Sequence, residues 1–196
     1  MSRAAVGALL GAALLLSACG GQAAPPAAPT AVGKLPAVSL ADSPACPTVP
    51  HVAPRADGLP PLALPCLGAG PAVRVSDLRG VPLVVNVWAA WCTNCPREMP
   101  LFAAAQRAAG HRLRFFGVHY KAGRDQALAA AKDFGVPFPS VQDEDGDRVT
   151  RMLRVPGPPT TLFVTADGRL AGRKIGEIRS QKELRSLIQQ YLGVSL

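Results

Sequence analysis

Two cysteines separated by two residues form the most reactive pattern in this chain. Cys92-Thr93-Asn94-Cys95 follows an apolar, β-branched run at Leu83 to Trp88 and precedes a helical pattern that stops at Gly110. A cysteine attacks as its thiolate, and the unpaired N–H groups of a helix N-terminus lower the pKa of a thiol placed there. The pattern therefore predicts a redox pair, with Cys92 as the exposed nucleophile and Cys95 as the thiol that resolves the mixed disulfide.

The remaining cysteines are Cys19, Cys46 and Cys66. If Cys19 belongs to an N-terminal secretory signal, Cys46 and Cys66 are expected to pair with each other across about 20 residues. Their disulfide would stabilise the domain by about 3 kcal/mol. A second redox pair and a four-cysteine zinc site are the alternatives, although the wide spacing of these two residues is unlike that of structural zinc ligands.

The first residues are typical of a secretory signal rather than of a folded element. A short basic start and an apolar stretch lead to Leu16-Ser17-Ala18-Cys19. This end resembles the lipobox of bacterial lipoproteins, which implies a signal peptide at 1–18 and lipidation of Cys19. An ordinary cleavable signal with an incidental cysteine, or an uncleaved anchor, is the alternative. The Ala- and Pro-rich segment 19–45 is then a tether, and 46–196 is the folded domain.

Composition limits what this domain can be. The 196 residues are 48% hydrophobic and 17% charged, which suits one domain with a core. After residue 20 no apolar run approaches the roughly 20 residues of a membrane-spanning helix, so a multi-span membrane protein is excluded. The formal charge is +8, but the basic residues are scattered, so no nucleic acid partner is expected. The same charge favours an anionic membrane surface.

Hydrophobic periodicity predicts the elements that must position the cysteines. Leu83 to Trp88 is predicted to be a central strand buried on both faces. Asp167-Gly168 indicates a hairpin turn, and Ser180 with Glu183 indicates a capping box at the start of a last helix. Strands that alternate with helices predict a mixed α/β sheet covered on both faces. The other expected elements are strands at 113–119, 139–141, 161–165 and 170–176 and helices at 95–109, 124–134 and 148–153.

Four motifs together resemble the thioredoxin superfamily and, within it, the TlpA/ResA-like thiol-disulfide oxidoreductases. They are Trp88 to Cys95, Asp77-Leu-Arg-Gly80, Glu98-Met-Pro100 and the run from Val155 to Phe163. The resemblance covers about 59–192. It implies a thioredoxin fold, with a central mixed β-sheet, helices on both faces and a TlpA-type β-α insertion at 117–134.

The resemblance also assigns roles to individual residues. Glu98 matches an acid that this group places near the cysteines, where it could take the Cys95 proton; a solvent-facing acid in the first helical turn is the alternative. The acid of thioredoxin six residues before the first cysteine is replaced by Asn86, which exchanges no proton. Pro159 matches the superfamily's cis-proline. The substrate groove would be formed by Trp91, Pro158 and Thr160, with the substrate extended along it.

We therefore expect an enzyme, a lipid-anchored thiol-disulfide oxidoreductase on the outer face of the cell membrane, with no cofactor or bound metal. Its expected partners are protein thiols and disulfides, including apocytochrome c if it is a reductant, together with a membrane redox donor. Thr93-Asn94 differs from the dipeptides common in the superfamily, so a DsbE-like oxidant in oxidative folding stays open. So do a copper chaperone that uses Cys92, Cys95 and His119 as ligands and a purely structural thioredoxin-like domain.

Overall fold

A computed structural model describes Leu40 and residues 43–196. The predicted signal peptide, the lipidation site Cys19 and nearly all of the predicted tether lie outside the described residues. Ser43 is already buried, so packed structure extends at least three residues before the predicted start of the domain. None of the helices in this part of the chain has the length and hydrophobicity needed to cross a membrane.

The centre of the fold is a five-stranded mixed sheet. Its strands are β3 (Leu83–Trp88), β4 (Arg114–Tyr120), β5 (Ser140–Asp143), β6 (Thr160–Val164) and β7 (Leu170–Ile175), in the order β5-β4-β3-β6-β7. The strands β3, β4 and β5 run parallel, whereas β6 is antiparallel to both β3 and β7. Every residue of β3 is buried, which confirms the predicted central strand.

Three α-helices cover one face of this sheet. They are α1 (Cys95–Ala109), α2 (Arg124–Phe134) and α3 (Gln181–Leu192), and their apolar residues share one buried cluster. Because parallel crossovers are right-handed, the two successive connections β3-α1-β4 and β4-α2-β5 bring both helices to the same face. The inserted strand and helix predicted from the sequence are β4 and α2. The N-terminus of α3 is capped by the Ser180 hydroxyl, which accepts a hydrogen bond from the Glu183 N–H at 3.1 Å.

The second face is covered without a long helix. A two-stranded ribbon, β1 (Ala63–Leu64) with β2 (Val73–Arg74), packs there together with a 3₁₀ turn at Val75–Asp77 and a helical turn at Val149–Leu153. The mixed sheet and its coverage on both faces agree with the prediction, but the helical part of this second layer is limited to single turns. The segment before β3 is rich in proline, which interrupts helical hydrogen bonding.

The start of the described chain is fastened to the edge of β5. Cys46 and Cys66 form a disulfide with a Cα–Cα distance of 5.9 Å. The Leu67 N–H donates to the Ser140 carbonyl at 2.8 Å. The guanidinium of Arg124, at the start of α2, donates to the carbonyls of Cys66 and Leu67 at 2.8 and 2.6 Å. The segment around Cys66 thus covers a strand edge that would otherwise be open.

Candidate active site

The two central cysteines lie where β3 ends and α1 begins. They form a disulfide, and Cys95 is the first residue of α1. The Cys92 N–H donates to the Ala89 carbonyl at 3.1 Å, and the Cys95 N–H donates to the Cys92 Sγ at 3.2 Å. Pro96 follows without loss of an internal bond because the first helical turn has no carbonyl partners for its N–H groups. The Cys92 sulfur therefore lies at the positive end of a helix dipole.

The expectation that Cys92 is exposed needs correction. In the disulfide form only 6% of Cys92 is accessible, and Cys95 is fully buried. The bond to Cys95 directs the Cys92 sulfur toward the helix, whereas the residues on either side of Cys92, Trp91 and Thr93, are exposed, with 55% of the Trp91 surface accessible. The Trp91 indole donates to the Lys121 carbonyl at 2.7 Å, and its ring meets the edge of Tyr120. Trp91 is thus held beside the nucleophile rather than free.

Glu98 is a fully buried acid on α1. One of its oxygens, Oε1, accepts a hydrogen bond from the Ile178 N–H at 2.8 Å, whereas Oε2 has no partner of normal geometry among the described residues. Burial raises the pKa of Glu98 to about 7, and the Ile178 N–H and the nearby Asn86 amide oppose this shift. The alternative of a solvent-facing acid does not agree with this burial.

Asn86 occupies the centre of the sheet beneath the helices. Its side chain is buried, and its amide donates a long hydrogen bond of 3.4 Å to the Thr161 hydroxyl of the neighbouring strand. Its Oδ1 atom has no partner in this part of the chain. Glu98 is consequently the ionisable group available here for proton transfer, while Asn86 is a neutral neighbour of the carboxyl.

The predicted groove residues lie at the same end of the sheet as the cysteines. Val87 pairs with Thr160, so the residues before Thr160 lie beside the loop that follows β3. The peptide bond between Pro158 and Pro159 is cis. The Pro159 carbonyl accepts a hydrogen bond from the Gly176 N–H at 2.9 Å, next to the exposed Ile175. Ile175 thus places an exposed apolar side chain beside the predicted groove, and the sequence analysis had not assigned this residue to it.

His119 is a buried residue at the end of β4. It pairs with Trp88 across the parallel β3-β4 ladder, and the two rings meet edge to face at 4.7 Å. Its Nε2 accepts a hydrogen bond from the Ala90 N–H at 3.3 Å. Burial lowers the pKa of His119 to about 4, so the imidazole is neutral at physiological pH. The sequence contained no signal for this contact, which depends on the register of two strands.

The three ligands of the copper hypothesis do not form a metal site. No group of three or more His, Cys, Asp or Glu side chains within the described ranges has an arrangement that could hold a metal ion. The Nε2 atom of His119 instead points to the Ala90 amide, and Cys46 and Cys66 are joined to each other. The geometry favours disulfide chemistry at Cys92 and Cys95.

A mixed sheet of this strand order, with the Cys92–Cys95 disulfide between its central strand and the following helix, defines the thioredoxin-like class. The AhpC/TSA family matches residues 56–173, more than half of the chain, and the chain belongs to this family. Membership of the thioredoxin superfamily and of its TlpA/ResA-like group, predicted from the sequence, is thereby confirmed.

Two curated relatives show what the chain is similar to. The thiol:disulfide interchange protein DsbE of Pseudomonas fluorescens biotype C is 33% identical over 120 residues, which cover 61% of this chain and 65% of the relative. The protein of the same name from Vibrio cholerae is 31% identical over 117 residues, covering 59% of this chain and 61% of that protein. The aligned region is thus somewhat less than two thirds of these relatives' length.

Solved structures confirm the fold. A secreted disulfide oxidoreductase of Mycobacterium tuberculosis, described as homologous to DsbE of Escherichia coli, superposes with a TM-score of 0.54 at 25% identity, covering 63% of this chain and 91% of that one. A thiol:disulfide interchange protein of Chlorobium tepidum gives a TM-score of 0.58 at 21% identity, over 72% of this chain and all of that chain. The predicted thioredoxin fold is therefore correct.

Proposed function

We propose that the protein is a thiol-disulfide oxidoreductase that exchanges disulfides with partner proteins through Cys92 and Cys95. The observation that carries this proposal is a disulfide at the N-terminus of α1, whose outer sulfur accepts the Cys95 N–H. Such an amide and the helix dipole stabilise a thiolate on Cys92 once the disulfide is reduced. The names of the curated relatives support the same chemistry.

In the reductive direction the reaction has two steps. The Cys92 thiolate attacks one sulfur of a partner disulfide, which forms a mixed disulfide and releases the first partner thiolate. Cys95 then loses its proton and attacks the Cys92 sulfur, which forms the Cys92–Cys95 disulfide and releases the second partner thiolate. The partner gains two electrons and the dithiol loses two. The oxidative direction is the reverse of these steps.

Glu98 is the proposed acceptor of the Cys95 proton. It lies three residues after Cys95, on the same face of α1, and both side chains are fully buried. A carboxyl with a pKa near 7 is a suitable base at neutral pH, because both of its protonation states are populated. Buried surroundings exclude bulk water as the competing acceptor.

The partner is proposed to bind as an extended segment beside the cysteine loop. Trp91 and Ile175 are more than half exposed, and they flank the strand end that carries Pro158 to Thr160. Exposed apolar side chains on either side of a strand end suit recognition of an extended segment. We include Trp91, Pro158, Pro159 and Thr160 in this groove.

For the whole protein we propose a lipoprotein anchored through Cys19 on the outer face of the cell membrane, where it acts as a reductant. Its substrates would include disulfides of apocytochrome c, which it would reduce to thiols, and a membrane redox donor would return electrons to it. The lipobox-like end at Leu16 to Cys19 supports the anchor, and the resemblance to TlpA/ResA-like proteins supports the reductive direction. Incorporation of labelled palmitate by the wild-type chain, but not by Cys19→Ser, would support the anchor; equal labelling would exclude it.

The decisive experiment is a redox titration of the full chain against glutathione or dithiothreitol, with Cys92→Ser as the blank. A reduction potential near or below about −250 mV supports a reductant, and a value near about −120 mV indicates an oxidant of folding proteins. Insulin reduction measures turnover in the same preparation. Absence of any exchange with insulin or small disulfides would contradict the proposed activity and favour a structural domain.

A further inference from the structure

The loop that carries Cys92 is tied to β4 at two points. The Trp91 indole donates to the Lys121 carbonyl at 2.7 Å, and the Ala90 N–H donates to the His119 Nε2 at 3.3 Å. The first contact holds an exposed side chain. The second contact holds the backbone at Ala90, two residues before Cys92, and its acceptor is the fully buried side chain of His119.

A short series of hydrogen bonds leads from His119 to the cysteine sulfur. The imidazole accepts the Ala90 N–H, the adjacent Ala89 carbonyl accepts the Cys92 N–H at 3.1 Å, and the Cys92 Sγ accepts the Cys95 N–H at 3.2 Å. Each bond restricts the next segment of the loop. A displacement of Ala90 would therefore also displace the sulfur relative to the helix N-terminus.

The His119 ring is itself fixed by packing. It lies against Trp88 edge to face, and the Trp88 indole N–H donates to the Ser140 hydroxyl at 3.3 Å. Acceptance of the Ala90 N–H requires an unprotonated Nε2, so the neutral ring carries its hydrogen on Nδ1. The Nδ1 atom has no hydrogen-bond partner among residues 43–196. The buried ring thus has one polar contact that the structure shows, and this contact is to the cysteine loop.

From these contacts we infer that His119 is a positioning residue for Cys92: it accepts the Ala90 amide hydrogen and so aligns the nucleophilic sulfur with the N-terminus of α1. This inference rests on the proposed function, because it assigns a purpose to the alignment of Cys92. His119 does not touch the reacting sulfurs through any described hydrogen bond, and it acts through the backbone of Ala90.

The first test uses the unaltered full chain. Nitrogen-15 spectra of the histidine ring report which ring nitrogen carries the hydrogen. We expect an unprotonated Nε2 and a protonated Nδ1 on His119 at pH 7, with slow hydrogen exchange at the Ala90 amide. A ring with its hydrogen on Nε2 could not accept this amide hydrogen, and its observation would overturn the inference without any substitution.

The second test compares two variants of His119. Gln places an acceptor oxygen about as far from the backbone as Nε2, whereas Leu fills a similar volume without an acceptor. We expect His119→Leu to slow the reaction of the reduced protein with glutathione disulfide at least fivefold at pH 7 and to raise the pKa of the Cys92 thiol. His119→Gln should retain the rate within twofold. Equal rates for the wild type and a folded His119→Leu protein would overturn the inference.

A packing control separates positioning from a role in stability alone. Phe134 also meets the Trp88 ring edge to face, at 6.2 Å. Phe134→Leu should lower the melting temperature but leave the thiol reaction rate within twofold of the wild type; an equal loss of rate would assign the His119 effect to packing. Glutathione disulfide is small and needs no protein-binding groove. A wild-type protein that reacts with glutathione disulfide but not with insulin would therefore contradict the proposed function and leave the positioning role of His119 standing.

Discussion

Cys95 and Glu98 lie one turn apart on α1, and neither side chain is accessible to solvent. The carboxyl has one oxygen held by the Ile178 N–H and one without a hydrogen-bond partner in the described chain. Burial without full pairing penalises the charged form, which is the main reason for the raised pKa of Glu98. In the proposed mechanism, the resolving thiol of Cys95 thus lies one helical turn from a carboxyl that exists in both protonation states near neutral pH.

Glu98→Gln should therefore slow resolution of the mixed disulfide. Loss of a positioned base reduces a proton-transfer step by about 10²-fold or more. We also expect the wild-type rate to rise as the pH passes through about 7, where Glu98 loses its proton, and this rise to disappear in the variant. Stopped-flow measurement of thiol release from a mixed disulfide between Cys92 and glutathione checks both expectations.

Glu144→Gln is the matched control, because Glu144 is an exposed carboxylate on the loop after β5. This variant should keep the wild-type rate and its dependence on pH. If Glu98→Gln kept the same profile as well, Glu98 would not be the proton acceptor.

The same carboxyl should make the oxidised protein sensitive to high pH. The pKa of Glu98 is raised from 4.5 to about 7, so its stabilising contribution is complete below 4.5 and is lost as the pH rises through 7. Between pH 4.5 and pH 8.5 the unfolding free energy of Glu98→Gln should therefore rise relative to that of the wild type, by at most about 3 kcal/mol for a shift of about 2.5 units. Urea titrations at both pH values measure this change. A constant difference between the two proteins would show that Glu98 keeps its ordinary pKa.

His119 should give the opposite dependence. Its pKa is lowered from 6.5 to about 4 by burial, so its contribution is complete above pH 6.5 and is lost as the pH falls toward 4. Relative to the wild type, His119→Gln should gain stability over this interval, again by up to about 3 kcal/mol. Urea titrations at pH 7 and pH 4 provide the measurement, and a difference that stayed the same at both would show an imidazole that titrates normally.

Local patterns predicted the parts of the site that depend on neighbouring residues in the chain. The apolar run of β3, the Gly110 stop and the two cysteines between them are short-range features, and the structure places β3 and α1 at the predicted bounds. His119 was different. The sequence analysis named it only as a ligand of the copper alternative, because its contact with Ala90 arises only when β4 pairs with β3 in parallel.

The second layer of the fold also depends on features that local sequence patterns do not predict. Helices on both faces were expected, but α1 and α2 share a face because of the handedness of their crossovers, which no residue pattern encodes locally. Ile178 was also not assigned a role. Its backbone N–H reaches Glu98 from a segment 80 residues later in the chain, and backbone donors have no signature in a sequence.

The disulfide between Cys46 and Cys66 allows a test of whether these two cysteines form a second redox pair, an alternative that the sequence left open. It closes a loop of about 20 residues, so the double variant Cys46→Ser with Cys66→Ser should lower the unfolding free energy by about 3 kcal/mol. Both cysteines are buried in the apolar cluster on the second face, whereas Cys92 and Cys95 belong to the cluster beneath the helices. We therefore expect the insulin-reduction rate to stay within twofold of the wild type at a temperature where both proteins are folded. Loss of turnover in a folded double variant would instead identify a second redox pair.

Gly117 is the point where β4 passes beneath the Trp88 indole. A Cβ at this position would collide with the Ser140 hydroxyl and would lie 2.9 Å from the Trp88 Nε1. These two groups are hydrogen-bonded to each other at 3.3 Å, so the added methyl group must displace a buried pair. Overpacking of this kind costs about 1–3 kcal/mol. Gly117→Ala should lower the unfolding free energy by that amount in urea titrations.

Gly123→Ala is the control for this substitution. Gly123 precedes α2 with an ordinary negative φ, and its added Cβ would meet only the Glu144 carboxylate, at 3.7 Å. A change from glycine to alanine at a helix N-cap costs at most about 1 kcal/mol. Equal losses of unfolding free energy for Gly117→Ala and Gly123→Ala would mean that the residues around Trp88 can move to accommodate the added methyl group. A larger loss for Gly117→Ala would show that the packing around Trp88 is rigid. The His119 ring packs against Trp88, so rigid packing there would also fix the position of His119 beneath the cysteine loop.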